Sequence, residues 1–216
     1  MTESAHCPLC RGTETEAYWQ DQRRNYRQCQ RCALVFVPPE DHLSAEAERA
    51  EYDLHQNDVD DPGYRRFLAR LAEPLLERLS PGDRGLDFGC GPGPALATML
   101  EEAGHPVSLY DVFYAPEPAA LARCYDFITA TEVVEHLSRP GEELDRLWSL
   151  LRTGGWLGMM TKLVRDRDAF ATWHYKNDPT HIAFFSVDTW AWWAGHYEAD
   201  LTLLGSDAIL LHKRTV

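Results

Sequence analysis

The sequence predicts a doubly wound, mostly parallel α/β sheet with a small cysteine-rich unit ahead of it. Three observations carry this. From residue 64 onward, short apolar strands alternate with helices of ~10 residues, the pattern that covers both faces of a parallel sheet. The first of those strands runs into a loop with glycines at positions 89, 91 and 93. Two Cys-x-x-Cys pairs, Cys7/Cys10 and Cys29/Cys32, stand near the N-terminus.

The elements follow in order. Residues 1–36 read as one compact cysteine unit. Ser44 is an expected N-cap for a helix reaching about Leu54, with Glu46 and Glu48 in its first turns. Residues 57–63 are a turn-rich break. Phe67, Leu68, Leu71, Leu75, Leu76 and Leu79 carry the 3–4 spacing of a buried face on a helix expected over 64–79, stopped by Ser80-Pro81-Gly82. Gly85 to Phe88 is the first strand of the alternation, and Ala95 to Ala103 the helix after it. Strands are expected over 107–110, 126–131 and 156–161, and helices over 141–151 and 187–193. The segment 201–213 reads as two strands turning at Gly205-Ser206.

The 216 residues suffice for one α/β domain plus a small appendage, with a core large enough to need no disulfide framework. The net charge of −13 argues against a nucleic-acid partner. The acid is unevenly spread: residues 1–36 hold five Arg against four Asp or Glu, so nearly all the negative charge lies beyond them. With no run of ~18 apolar residues and no apolar signal core in MTESAHCPLC, neither a membrane span nor secretion is expected. The expected location is the cytoplasm, where paired thiols serve metals more often than disulfides.

Eighteen residues separate the two Cys-x-x-Cys pairs, a spacing that reads as a four-thiolate zinc site on Cys7, Cys10, Cys29 and Cys32. Each turn aims two sulfurs at one point, and two turns complete a tetrahedron. Four thiolates leave no open position, so the expected zinc is structural. Cys90 and Cys124 are expected as buried small residues.

The segment Gly85-Leu86-Asp87-Phe88-Gly89-Cys90-Gly91-Pro92-Gly93 is the strongest signal. Its glycines let the chain turn tightly and let a ligand approach. Asp111 ends the next strand, 18 residues after Gly93, where a carboxylate can accept from both hydroxyls of a ribose. Pro94 sits where a dinucleotide loop places Gly or Ala, and no Lys follows as a P-loop requires. Asp87, inside the strand, suits an ammonium group better than a pyrophosphate.

The segment resembles the first motif of class I methyltransferases that use S-adenosylmethionine (SAM), apolar-Leu-Asp-apolar-Gly-Cys-Gly-x-Gly. Tyr125 to Leu137, with its Glu135-His136 ending, resembles that family's fourth strand, and Leu151 to Leu157 the turn into its fifth. The likeness spans about residues 64–213. It implies a Rossmann-like methyltransferase fold with SAM as cofactor, beside the zinc that the cysteine spacing predicts. It further implies that Asp87 and the loop Gly89-Cys90-Gly91 line the methionine end of SAM, that Asp111 holds the ribose, that Val112 lies against the adenine, and that Thr131 and Glu132 face cofactor and substrate. Only the fourteen residues 112–125 separate Asp111 from the fourth strand, so strand three is expected to be shortened or lost.

The expected domains are a zinc-binding module over 1–40 and a methyltransferase domain over 41–216, whose first part, 41–82, includes Tyr52 and His55 as lid candidates. The segment 170–186 lies beyond the fifth strand, where ligands of open α/β sheets gather. His181, suited to accept a proton near neutral pH, is the expected catalytic base, with Tyr175 beside it to orient the acceptor. The expected substrate is a small molecule. The rivals are an RNA methyltransferase carrying the same kind of knuckle and a binding protein without turnover. The acceptor atom and the oligomeric state stay open.

Overall fold

The computed structural model describes residues 6–53 and 58–215. Among them two sheets form. The chain opens with β1 (Thr15–Gln20), β2 (Asn25–Cys29) and β3 (Val35–Phe36), an antiparallel meander. Then come α1 (Ala45–Tyr52), α2 (Pro62–Leu76), β4 (Gly85–Phe88), α3 (Ala95–Glu102), β5 (Val107–Tyr110), β6 (Tyr125–Thr131), α4 (Pro140–Leu150) and β7 (Leu151–Met160). A short α5 (Arg167–Ala171), β8 (Ala183–Phe184), α6 (Val187–His196), β9 (Asp200–Leu204) and β10 (Ala208–His212) complete it.

The larger sheet has the order β5-β4-β6-β7-β10-β9. Its first four strands are parallel, and β10 runs antiparallel to both β7 and β9. Side chains alternate between its faces. Phe127, Met160 and Leu210 pack with Leu68, Leu71 and Leu75 of α2 and Leu96 and Leu100 of α3. Ile128, Met159 and Leu211 pack on the opposite face with Leu144, Leu147 and Trp148 of α4 and Trp190 and Trp193 of α6. Helices on both faces make the sheet doubly wound, as the alternation predicts.

Strand three is lost. Between β5 and β6 stand a bridge from Asp111 to Ala115 and one turn of 3-10 helix over Pro118–Ala122, so β5 is a sheet edge. Ser44 caps α1 as expected, accepting from the Ala47 N–H. Leu54 and His55 lie outside the described residues. The second helix begins two residues early, at Pro62, because Asp61 caps it and proline's fixed φ suits a first helical turn. Cys124, expected buried, is exposed at the start of β6, whereas Cys90 is buried.

The N-terminal meander shares structure with the rest of the chain. β3 pairs with β8, and Cys7, Cys29, Cys32, Leu34 and Phe36 pack in the same apolar core as α4 and α6. A Cβ on Gly141, in the first turn of α4, would fall 2.2 Å from the Leu9 carbonyl oxygen, so only glycine lets the first cysteine loop seat there.

Candidate functional site

The carboxyl ends of β5, β4 and β6 lie side by side, with β4 between a strand that follows it directly and one that follows later. This is the topological switch point at which open α/β sheets bind ligands. Gly89 and Gly91 both take positive φ, 74° and 63°. A Cβ on Gly89 would meet Val133 Cγ2 at 2.4 Å, so a larger residue would push the loop off the end of β6. Asp111 pins the loop from the other side. Its Oδ2 accepts from the Gly91 N–H at 3.0 Å, and its Oδ1 accepts from the N–H groups of Phe113 and Tyr114 at 2.8 and 3.1 Å. Val112 beside it is 62% exposed, which leaves its side chain open to a ligand.

Asp87 is buried beneath the loop and accepts from Thr129 Oγ1 at 2.8 Å. Burial pushes its carboxyl up to about 7, against the pull of that hydroxyl, and the Asp111 charge adds to the rise.

A second group of polar side chains gathers beyond β6. Glu132 follows Thr131 at the strand tip with a left-handed φ of 53°, a strained conformation for a residue with a Cβ. Tyr175 lies in a 3-10 turn over His174–Asn177, and its hydroxyl donates to Glu135 Oε1 and stands 3.3 Å from both Glu132 Oε2 and Thr161 Oγ1. Burial raises the pKa of both carboxyls, and for Glu135 the charge of Glu132 raises it further. Burial also holds the Tyr175 phenol firmly protonated. His181 packs against Tyr175 and His136, with ring centroids 4.1 and 4.7 Å apart. Its Nδ1 lies 2.7 Å from the Tyr175 carbonyl oxygen, and its Nε2 3.7 Å from Asp178 Oδ2. Burial lowers its pKa, so the ring is neutral near pH 7. Tyr52 of α1 leans over this group with its ring 5.2 Å from that of His136. A surface groove lined by Lys162, Val164, Phe170, Trp173 and Asp207 opens nearby, past the end of β7.

One residue missed in the sequence holds this group in place. Arg24, in the β1–β2 turn, is only 7% exposed. Its guanidinium donates to the carbonyls of Asp178, Pro179 and His181, each at 3.0 Å, and to that of Lys176. Lys176, also buried, pairs with Asp21 at 3.4 Å. On the far side the Ile182 N–H donates to the Glu135 carbonyl at 2.8 Å. The loop bearing Tyr175 and His181 is thus laced between the N-terminal meander and the tip of β6.

The four N-terminal cysteines converge. Cys7 Sγ is 3.5 Å from Cys32 Sγ and Cys10 Sγ is 3.4 Å from Cys29 Sγ, and all four sulfurs lie within 4.8 Å of one another. A tetrahedral zinc site spaces its sulfurs by ~3.8 Å, so the set fits that ion. The two loops share one geometry. Arg11 N–H donates to Cys7 O and Ala33 N–H to Cys29 O, both at 2.9 Å, and Arg11 and Ala33 both take left-handed φ, 58° and 59°.

Comparison with known proteins agrees with this geometry. A family model described as a methyltransferase domain matches residues 62–204. No curated protein sequence matches the chain. Among solved structures, the chain is similar to the Burkholderia thailandensis 1,6-didemethyltoxoflavin-N1-methyltransferase, a structure holding 1,6-didemethyltoxoflavin and S-adenosylhomocysteine (SAH). The TM-score is 0.53 at 17% identity, over 93% of this chain and 100% of that one. It is also similar to the plantazolicin methyltransferase BpumL, solved with a monoazolic desmethylPZN analog and SAH, with a TM-score of 0.50 at 14% identity over 82% and 91% of the two chains. At these identities the likeness is one of fold. No helix among the described residues is long and apolar enough to cross a membrane.

Proposed function

Because the chain belongs to the methyltransferase-domain family, matched over residues 62–204, we propose that it transfers the methyl group of SAM to a small molecule held beyond the tip of β6. The observation that carries the reading is the glycine loop tied through Gly91 to Asp111 across the ends of β4 and β5. Asp87, Gly89, Cys90 and Gly91 take the methionine end, where a buried carboxyl of raised pKa suits an ammonium group. Asp111 takes the ribose hydroxyls and the exposed Val112 the adenine. Thr131 and Glu132 face the methyl group.

Bound SAM supplies an activated methyl on a sulfonium, and the chain's part is to align the acceptor and take its proton. Tyr175, fixed by two carboxylates, orients the acceptor. His181 is neutral, and with Nδ1 directed to the Tyr175 carbonyl its Nε2 carries the lone pair that accepts the proton. A small acceptor agrees with the net charge of −13, which disfavours RNA.

Zinc at Cys7, Cys10, Cys29 and Cys32 is structural in this reading. It fixes the module over 1–40, which holds Arg24 against the acceptor loop of the domain over 41–216. A cytoplasmic location, where paired thiols serve metals more often than disulfides, accords with this reading.

The test supplies purified protein with methyl-labelled SAM and, separately, a small-metabolite extract or total RNA. Label is expected in the small-molecule fraction. Label confined to RNA, or no transfer with either, contradicts the reading.

A further inference from the structure

We infer that Glu135, His136 and His181 form a second metal site, separate from the four cysteines, that takes a divalent first-row cation. One ligand atom from each of the three lies within 4.8 Å of the others. Glu135 and His136 sit on the single turn after β6, and His181 reaches them from the loop held by Arg24.

Three features separate this group from a hydrogen-bonded cluster. Glu135 is fully buried, and its Oε2 has no hydrogen-bond partner among the described residues. A carboxylate oxygen left so is costly unless a donor or cation meets it. Both histidines have Nδ1 beside a main-chain carbonyl, His136 at 3.2 Å from Thr180 O and His181 at 2.7 Å from Tyr175 O. That support fixes the tautomer and directs Nε2 as the ligand atom, as outer-sphere carbonyls do for metal-bound histidines. The remaining oxygen, Glu135 Oε1, is oriented by the Tyr175 hydroxyl. Each of the three ligands is therefore held by a second group.

Two imidazoles and one carboxylate suit Mn2+, Fe2+, Co2+ or Zn2+ and leave coordination positions open. Asp178 Oδ2, 3.7 Å from His181 Nε2, stands ready at the edge of the set. The inference deepens the methyltransferase reading and rests on it for its purpose. Tyr175 Oη joins Glu135 to Glu132, the residue the methyltransferase reading sets against the acceptor, so an acceptor there would be within reach of a cation on Glu135. An acceptor hydroxyl bound there would ionise more readily. Its oxygen would then bond to the methyl carbon as the carbon–sulfur bond breaks, the electron pair staying on sulfur to give SAH and the hydroxyl proton going to solvent. Cation and proton compete for the same Nε2 lone pair, so in the metal-loaded protein His181 is a ligand rather than the base.

The test uses the full chain with its four-cysteine site zinc-loaded, titrated with Mn2+ followed by electron paramagnetic resonance and with Co2+ followed by visible absorption. One further cation per chain is expected, and E135Q and H136Q should each weaken it by at least about tenfold. Pulsed resonance on Mn2+-loaded wild-type protein, which needs no variant, should show coupling to imidazole nitrogen. Failure of both cations to bind, unchanged binding in both variants, or bound Mn2+ without nitrogen coupling overturns the site. SAH affinity measured on the same samples belongs to the methyltransferase reading alone. SAH binding without cation binding therefore overturns the metal site and leaves that reading standing.

Discussion

Replacing Arg24 should loosen the loop that bears Tyr175 and His181 from a distance. The guanidinium satisfies four main-chain carbonyls of residues 176–181 from a site only 7% exposed. A hydrogen bond to a charged group is worth about 1.5–3 kcal/mol, but bonds sharing one donor do not add. Arg24→Met keeps the apolar stem but leaves four carbonyls without this donor; an unmet buried acceptor costs about 1–3 kcal/mol, so we adopt about 3–5 kcal/mol for the set. For a chain of this size that corresponds to a fall in Tm of roughly 6–20 °C. Arg24→Lys keeps the charge but loses the planar fork, so it should fall between wild type and Met. Scanning calorimetry gives the order. At a temperature where all three are folded, the proposed reading, which puts the clamped loop on the acceptor side, expects methyl transfer to drop further than SAH affinity. An Arg24→Met protein melting within about 2 °C of wild type would refute the clamp.

Other expectations follow from the same geometry. Asp87 is raised from 3.8 to about 7 by burial, so its contribution to stability is full below about pH 4 and is lost as pH rises through about 7. A bound ammonium favours the ionised form, so SAH should raise Tm more at about pH 8 than at about pH 6, and Asp87→Asn should flatten that difference; equal shifts in wild type would count against an ammonium beside Asp87. His181→Ala should cut methyl transfer at least ~100-fold with SAH affinity nearly unchanged, whereas activity that merely tracks the folded fraction would mark a structural residue. Elemental analysis should give one zinc at the four cysteines, lost in Cys29→Ser. Because those cysteines sit in the core shared with α4 and α6, zinc removal should lower Tm of the whole chain, and a zinc-free protein with unchanged Tm would contradict this.

The parts legible in the sequence were those with a local cause. The glycine loop announces itself because positive φ and the approach of Val133 both demand glycine there. The cysteine loops are legible because two short Cys-x-x-Cys turns suffice to bring four sulfurs within 4.8 Å of one another. The helix over 62–76 shows its buried face by period. What escaped has non-local causes. β3 and β8 are two residues each and exist because they pair with one another across the chain. β7 begins at Leu151, five residues earlier than its apolar run, through Gly154 and Gly155, which no strand pattern flags. Arg24 escaped because its acceptors are carbonyls more than 150 residues away, and a carbonyl is the same for every residue type. Glu135 was seen only as part of a motif, since nothing local shows that its second oxygen is buried without a donor.

The central claim is that SAM binds across the glycine loop with its ribose on Asp111. Titration calorimetry of SAH into wild type and Asp111→Ala tests it most directly. On the proposed reading two charge-assisted hydrogen bonds of about 1.5–3 kcal/mol each would join the carboxylate to the ribose, and part of that would be offset because Asp111 also orders the loop. The account expects one SAH per chain in wild type and an affinity at least about tenfold weaker in the variant, with both proteins folded. No binding to wild type, or equal affinity in the two proteins, would contradict it.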